Sequence, residues 1–318
     1  MVILKAAVAK GKGRDIKGLP YEEYFASGHR ACAGCGEALV IRHVVKAAGP
    51  NSIAVMATGC MEVVSTPYPQ TAWKIPWIHG AFENNSAIAS GVDAALKMQG
   101  RREGINLLVF GGDGSSFDIG FGALSGAIER GHKFTYVCTD NEAYMNTGVQ
   151  RSGATPFLAS TTTTPAGKAV HGKQEPKKPL PLIVAAHGVR YVATASASNI
   201  YDLYAKVKKA LATDHTSFIH AYSVCPVGWH SKSDSAITLS KLAVQTRVFP
   251  MYEIENGVLK FTQKVEKERA TPVLEYLKLQ GRFKHLGEAE VKQIQEYVDA
   301  RYNYLIGIEG KKAFDCLF

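Results

Sequence analysis

An α/β fold is predicted, with a mostly parallel sheet flanked by helices and a helical extension at the C-terminal end. Three observations predict it. Asn106-Leu107-Leu108-Val109-Phe110 is an apolar run that reads as a buried strand. Ser116 to Arg130 has the apolar spacing and small residues of a closely packed helix. Lys133-Phe134-Thr135-Tyr136-Val137-Cys138 is a second strand. Together they make one β-α-β unit, whose right-handed crossover sets both strand ends side by side at the carboxyl edge of a parallel sheet. Gly112-Asp113-Gly114 stands at the first end and Asp140-Asn141-Glu142 at the second. Ligands bind at that edge in open α/β sheets. A carboxylate, an amide oxygen and backbone carbonyls converging there suit a hard cation that holds a diphosphate.

The other elements follow in chain order. Met1 to Ala9 is apolar but short, and its basic residues do not precede the apolar part, so it is a poor signal peptide. Lys10, Lys12 and Arg14 lie in a glycine-rich arm. Ser52 to Ala57 is an apolar run that ends at Thr58-Gly59-Cys60. Ser152 to Pro181 is a long Thr- and Pro-rich connection. Loops of that length are often functional, and this one is expected to wrap a ligand or contact a partner. Leu182 to Ala186 and Tyr191 to Ala193 read as helix, then strand. Ile200 to Ala212 is amphipathic, with Lys206, Lys208 and Lys209 expected on a solvated basic face. Phe218 to Ser223 is the strand that delivers Cys225. From Phe249 onward, a hairpin (Met251 to Phe261, turning at Asn256-Gly257) leads to helices at Pro272 to Gln280 and Glu288 to Leu305. No internal repeat and no independent second domain is evident. Residues 1–248 are read as the ligand-binding domain, and 249–318 as an extension packed on it, serving as scaffold or as an arm for subunit assembly.

At 318 residues the chain can bury a substantial core. No apolar run reaches the length of a transmembrane helix, and a cytoplasmic protein is expected. The net charge of +9 raises the question of nucleic acid, but the basic residues are dispersed and no nucleic-acid module is present. Attraction of anions is the better use of that charge: diphosphates, carboxylate substrates or an acidic protein partner.

Six cysteines divide into two groups. Cys138 lies inside an apolar strand and Cys316 in an apolar tail, and both are read as inert. Cys32 and Cys35 form Cys-Ala-Gly-Cys, Cys60 follows a glycine, and Cys225 precedes Pro226. In a reducing compartment disulfides are disfavoured and a metal site is the better reading. Zinc favours two closely spaced pairs, whereas only one pair here is close. A Cys-Pro at the last ligand also occurs in iron–sulfur proteins. From spacing, a [4Fe–4S] cluster, zinc and unligated thiols all stay open.

The chain resembles the β subunits of the 2-oxoacid:ferredoxin oxidoreductases, most closely the pyruvate type. The resemblance runs from about Tyr24 to the C-terminal helices. It is carried by His29-Arg30-Ala31-Cys32-Ala33-Gly34-Cys35-Gly36, Ala57-Thr58-Gly59-Cys60, Gly111-Gly112-Asp113-Gly114 and, most distinctively, the segment Asp140 to Ser152 (DNEAYMNTGVQRS). It implies a thiamine-diphosphate-binding fold with one [4Fe–4S] cluster on Cys32, Cys35, Cys60 and Cys225. It implies Mg²⁺ held by the Asp113 carboxylate, the Asn141 side chain and the Ala143 carbonyl. Gly112, Gly114 and Ser115 would line the diphosphate, because glycine lets the backbone approach without a Cβ in the way. Asn146 matches a residue near the reacting end of the cofactor, where it could donate to developing charge, and Thr147 follows it. His79 could sit near the phosphates or substrate, or be a structural histidine.

The activity implied is oxidative decarboxylation of a small 2-oxoacid, with electrons passed through the cluster to ferredoxin and the acyl group to coenzyme A. Pyruvate is the default substrate. Phe117 could narrow the acyl pocket, which would favour oxalate and dispense with coenzyme A; equally, it could be a core aromatic. The glutamate that activates thiamine lies on an α subunit in this family, so the chain alone is expected to be catalytically incomplete. Further clusters would lie on γ/δ-type subunits. Two rivals stand beside this: a thiamine decarboxylase or synthase without redox chemistry, and a zinc-stabilised assembly subunit.

Overall fold

A computed structural model describes residues 18–168 and 170–314. The arm with Lys10, Lys12 and Arg14, the segment Met1 to Ala9, and Cys316 lie outside the described residues. Within them runs one eight-stranded sheet, in the order β2-β1-β3-β4-β6-β5-β7-β8. The strands are β1 (Ser52–Ala57), β2 (Trp77–Gly80), β3 (Asn106–Gly112), β4 (Thr135–Asp140), β5 (Tyr191–Ser196), β6 (Ser217–Tyr222), β7 (Met251–Glu255) and β8 (Val258–Gln263). The first six are parallel, and β7 and β8 close the sheet as an antiparallel hairpin.

The helices are α1 (Gly36–Ala48), α2 (Cys60–Ser65), α3 (Asn85–Met98), α4 (Phe121–Glu129), α5 (Leu180–Ala186), α6 (Ile200–Leu211), α7 (Pro226–Trp229), α8 (Ala236–Gln245), α9 (Val273–Leu277) and α10 (Glu288–Ile308). Alternation along β3 explains why both sheet faces need cover. Leu108 and Phe110 pack with Val40, Ile41 and Val44 of α1 and Leu203 and Val207 of α6. Leu107 and Val109 pack with Leu124 of α4, Leu180 and Val184 of α5, and Leu305 of α10. Burying each such side chain contributes about 1.5–3 kcal/mol. No helix among the described residues is long and apolar enough to cross a membrane.

The predicted β-α-β unit is present with shifted bounds, its strands running on to Gly112 and Asp140. Its helix starts as a π-helical turn, Gly114–Ile119, before α4. Gly120 closes that wide turn where a Cβ would lie 2.7 Å from the Ser115 carbonyl oxygen. Its second strand begins at Thr135 rather than Lys133. The helix expected over Pro272 to Gln280 is the shorter α9.

Lys206 is a correction. It is not on the solvated face but 1 % exposed. Its amine donates to the Thr194 carbonyl at 2.8 Å, Asp202 at 2.7 Å and the Thr262 hydroxyl at 2.8 Å. Thr262 comes from β8, whose docking beside α6 captures the lysine. Lys208 and Lys209 are exposed as expected.

Candidate active site at the carboxyl edge of the sheet

β1, β3, β4 and β6 are consecutive neighbours in the sheet. Their carboxyl ends lead into Cys60, Asp113, Asn141 and Cys225 respectively. In register, Gly112 of β3 pairs with Thr139 of β4, so the two candidate loops stand side by side as the crossover predicted. Cys32 and Cys35 join from the turn before α1. Gly36 donates to the Val224 carbonyl at 3.0 Å, tying that turn to the segment before Cys225. A Cβ at Gly36 would lie 2.6 Å from the Val224 nitrogen, so glycine is required for the approach.

Asp113 is buried and accepts from the Ser152 hydroxyl at 2.5 Å. Burial pushes its carboxyl well above the usual range, the Asp140 charge adds to that, and the Ser152 bond opposes it. Such a carboxylate is suited to a cation. Asn141 and Ala143 are also buried. Next to Asp113, the Ser115 hydroxyl oxygen is buried with no close hydrogen-bond partner among the described residues. The space a Cβ would take at Gly112 is open, and the Tyr144 ring lies over Gly114. An orphaned hydroxyl, an open cradle and a proton-hungry carboxylate fit a metal-bound diphosphate.

Sequence reasoning missed Glu37. It is buried in the first turn of α1, accepting from the Thr139 hydroxyl at 2.8 Å and the Asn141 amide at 3.1 Å. Burial raises its carboxyl to about 7 against those two hydrogen bonds. A carboxylate directly after Cys-Ala-Gly-Cys-Gly was the available signal. Two basic residues were also missed. Lys177 pairs with Asp140 and, at 2.8 Å, with Glu142; Arg282 pairs with Glu142 at 2.6 Å. His220 meets Asp140 at 2.6 Å. Burial opposes ionisation of Asp140, but Lys177 and His220 hold its carboxyl down at about 2.

Cys32 is exposed, and Cys35, Cys60 and Cys225 are half-buried. Burial and then the Glu37 charge push the Cys35 thiol up to about 12. Burial likewise takes Cys225 to about 11, against a hydrogen bond from the Gly228 amide at 3.3 Å. Cys60 is raised by burial, by Glu37 and by each of the other three thiols, so the four share one neighbourhood. Among the described residues, no three His, Cys, Asp or Glu side chains are gathered as for a single metal ion. Cys138 is buried within β4.

Asn146 and Thr147 are exposed at the tip of the turn after Ala143. Thr147 donates to Gln150 at 2.6 Å. His79 lies 2.7 Å from the Thr58 hydroxyl, 3.7 Å from Glu62, and stacked on Trp77. It therefore stands beside the Cys60 turn. Phe117 is 2 % exposed, in the core with its edge on His220. Its ring is packed in the core.

Residues 57–221 match the C-terminal TPP binding domain of thiamine pyrophosphate enzymes. Pyruvate synthase subunit PorB of Methanocaldococcus jannaschii is 51% identical over 292 residues, covering 90% of this chain and 97% of that protein. The chain belongs to the β subunits of the 2-oxoacid:ferredoxin oxidoreductases. Within this family, ketoisovalerate oxidoreductase subunit VorB of Pyrococcus furiosus is 43% identical over 284 residues, covering 88% of this chain and 91% of that protein. A solved 2-oxoglutarate:ferredoxin oxidoreductase from Magnetococcus marinus shares the fold, with a TM-score of 0.55 at 23% identity, covering 72% of this chain and 83% of that one. The predicted fold class and family are both borne out. This β subunit is part of an oxidoreductase that works as a multi-subunit complex.

Proposed function

We propose that this β subunit holds thiamine diphosphate through Mg²⁺, together with one [4Fe–4S] cluster, and that its complex oxidatively decarboxylates pyruvate. One observation carries the reading: four adjacent strand ends bring Asp113 and Asn141 beside Cys60 and Cys225, with Glu37 between the two sets. Asp113, Asn141 and the Ala143 carbonyl are the metal ligands, and Gly112, Gly114 and Ser115 cradle the diphosphate. Cys32, Cys35, Cys60 and Cys225 are the cluster ligands. When bound, the thiamine cofactor supplies an electron sink for loss of CO₂ and the cluster takes up single electrons. Asn146, at an exposed tip, meets the substrate near the reacting end of the cofactor, and Thr147 beside it contacts the cofactor. His79, through Thr58, steadies the turn that carries Cys60.

One close cysteine pair rather than two, and a Cys-Pro at the last of the four, favour an iron–sulfur cluster over zinc. Pyruvate is favoured because the family members named above include pyruvate synthase, and the core packing of Phe117 supports that reading over a pocket narrowed to oxalate. Coenzyme A is then the acyl acceptor and ferredoxin the electron acceptor. An α subunit supplies the thiamine-activating glutamate, and γ/δ-type subunits carry further clusters. The complex works in the cytoplasm, where thiols stay reduced. Residues 249–318 are an extension of one cofactor domain: β7 and β8 continue its sheet, and α9 and α10 pack on its core.

The test is a substrate panel on the anaerobically purified complex: pyruvate, 2-oxoisovalerate and oxalate, each with and without coenzyme A. Coenzyme-A-dependent viologen reduction, with the highest kcat/KM for pyruvate, is expected. Reduction by oxalate without coenzyme A, or a preference for the branched substrate, would overturn the pyruvate reading.

A further inference from the structure

Two residues outside the cofactor and cluster motifs meet on the metal-binding loop. Trp229 is fully buried, four positions after Cys225. Its indole N–H donates to the Asn141 carbonyl at 2.8 Å. Its own backbone N–H donates to the Cys225 carbonyl at 3.0 Å, and the neighbouring Gly228 N–H to the Cys225 sulfur at 3.3 Å. Arg282 comes from the C-terminal extension, and its guanidinium carbon lies over the Trp229 ring, 3.9 Å from the centroid. Its guanidinium donates to Glu142 at 2.6 Å and to Gln280 at 2.9 Å. Glu142 sits at φ +70°, a conformation a non-glycine residue holds only when its surroundings fix it. Lys177 grips its other oxygen at 2.8 Å. The loop and the Cys225 turn are therefore joined through one indole, and a remote arginine holds both.

We propose that Trp229 and Arg282 are positioning residues that clamp the Asn141–Ala143 segment and the Cys225 turn in one register. Through them, affinity for Mg²⁺ and thiamine diphosphate depends on the C-terminal extension. This rests on the cofactor reading above. Trp229→Phe keeps an aromatic ring but removes the indole N–H, leaving the Asn141 carbonyl unpaired, and gives up the five-membered ring of a buried side chain. Arg282→Lys keeps the charge but loses the flat fork.

The experiment is a titration of the intact complex, stripped of Mg²⁺ and thiamine diphosphate, with Mg²⁺ at saturating thiamine diphosphate. Binding is followed by calorimetry, and iron content and the reduced-cluster EPR intensity are measured in parallel. Trp229→Phe is expected to raise the half-saturating Mg²⁺ concentration about tenfold, with iron content retained. Arg282→Lys is expected to raise it severalfold. Lys209→Gln, which removes a surface ion pair with Glu253, serves as the reference for general destabilisation. The clamp is overturned if Trp229→Phe stays within twofold of wild type, or if Lys209→Gln shifts as much. Should wild-type complex bind no thiamine diphosphate at all, the cofactor reading falls first and the clamp with it.

Discussion

Ser152 donates its hydroxyl to the Asp113 carboxylate at 2.5 Å across a separation of 39 residues. This bond fastens the start of the long Thr- and Pro-rich connection to the glycine turn. Ser152→Ala removes an orienting hydrogen bond from a buried carboxylate. Such bonds to charged groups contribute about 1.5–3 kcal/mol. The half-saturating Mg²⁺ concentration for thiamine diphosphate binding should rise at least tenfold by calorimetry, and an unchanged value would show the bond to be incidental.

Lys177 is the second fastening of the same connection. Its amine pairs with both Asp140 and Glu142, which are buried. Lys177→Met leaves the two buried carboxylates with one cation fewer, their other partners being His220, Arg282 and the Glu142 backbone N–H. Breaking a buried pair this way costs about 3–5 kcal/mol. Thermal unfolding of the assembled complex should shift down by several degrees, and an unchanged midpoint would show that Lys177 is not needed to hold the two carboxylates.

The buried carboxyls also set a pH dependence, and its sign differs between them. The Glu37 carboxyl is raised from 4.5 to about 7 by burial. Its contribution to stability is therefore fully present below about 4.5 and lost as pH rises through about 7. At about 1.36 kcal/mol per unit, the loss is of the order of 3 kcal/mol in the cofactor-free protein. Asp140 is lowered from 3.8 to about 2, so its contribution is present above 3.8 and lost as pH falls through about 2. Denaturation of cofactor-free complex across pH should show the neutral-side decline, and Glu37→Gln should flatten it. A profile insensitive to Glu37→Gln would contradict the assignment.

Gly114 leaves no room for a side chain, because a Cβ there would run into the Tyr144 ring. That ring is itself held by hydrogen bonds to the Gly114 carbonyl at 3.3 Å and Asp118 at 3.2 Å, and it stacks on Phe82. Gly114→Ala should destabilise by about 1–3 kcal/mol, as overpacking does. The second change Tyr144→Ala should recover part of that loss in thermal unfolding. No recovery in the double variant would mean that the ring is not the obstacle.

Local pattern made the parallel strands, the crossover and the two loop segments at the sheet edge legible. Apolar runs such as Leu107 to Phe110 and the Gly112-Asp113-Gly114 turn carry their meaning within a few residues. Glu37, Lys177 and Arg282 were not legible, because each finds its partner across a long sequence separation that only the folded sheet closes. Lys206 misled for a related reason: helical period places it on a basic face, but a β8 hydroxyl and a β5 carbonyl await it. Phe117 was ambiguous between pocket and core because a turn flanking a ligand site borders both. The four cysteines were visible as a set, yet their convergence follows from the strand order β1-β3-β4-β6, which no spacing rule contains.

The central claim is that one chain sets a thiamine diphosphate site and a redox cluster side by side. Its most direct test is EPR of the anaerobic complex mixed with pyruvate, without ferredoxin or dye, comparing wild type with Cys60→Ser and Asp113→Asn. A reduced iron–sulfur signal appearing in wild type and absent from both variants is predicted. A signal that survives in Cys60→Ser, or wild-type complex that stays silent with pyruvate, would contradict the account.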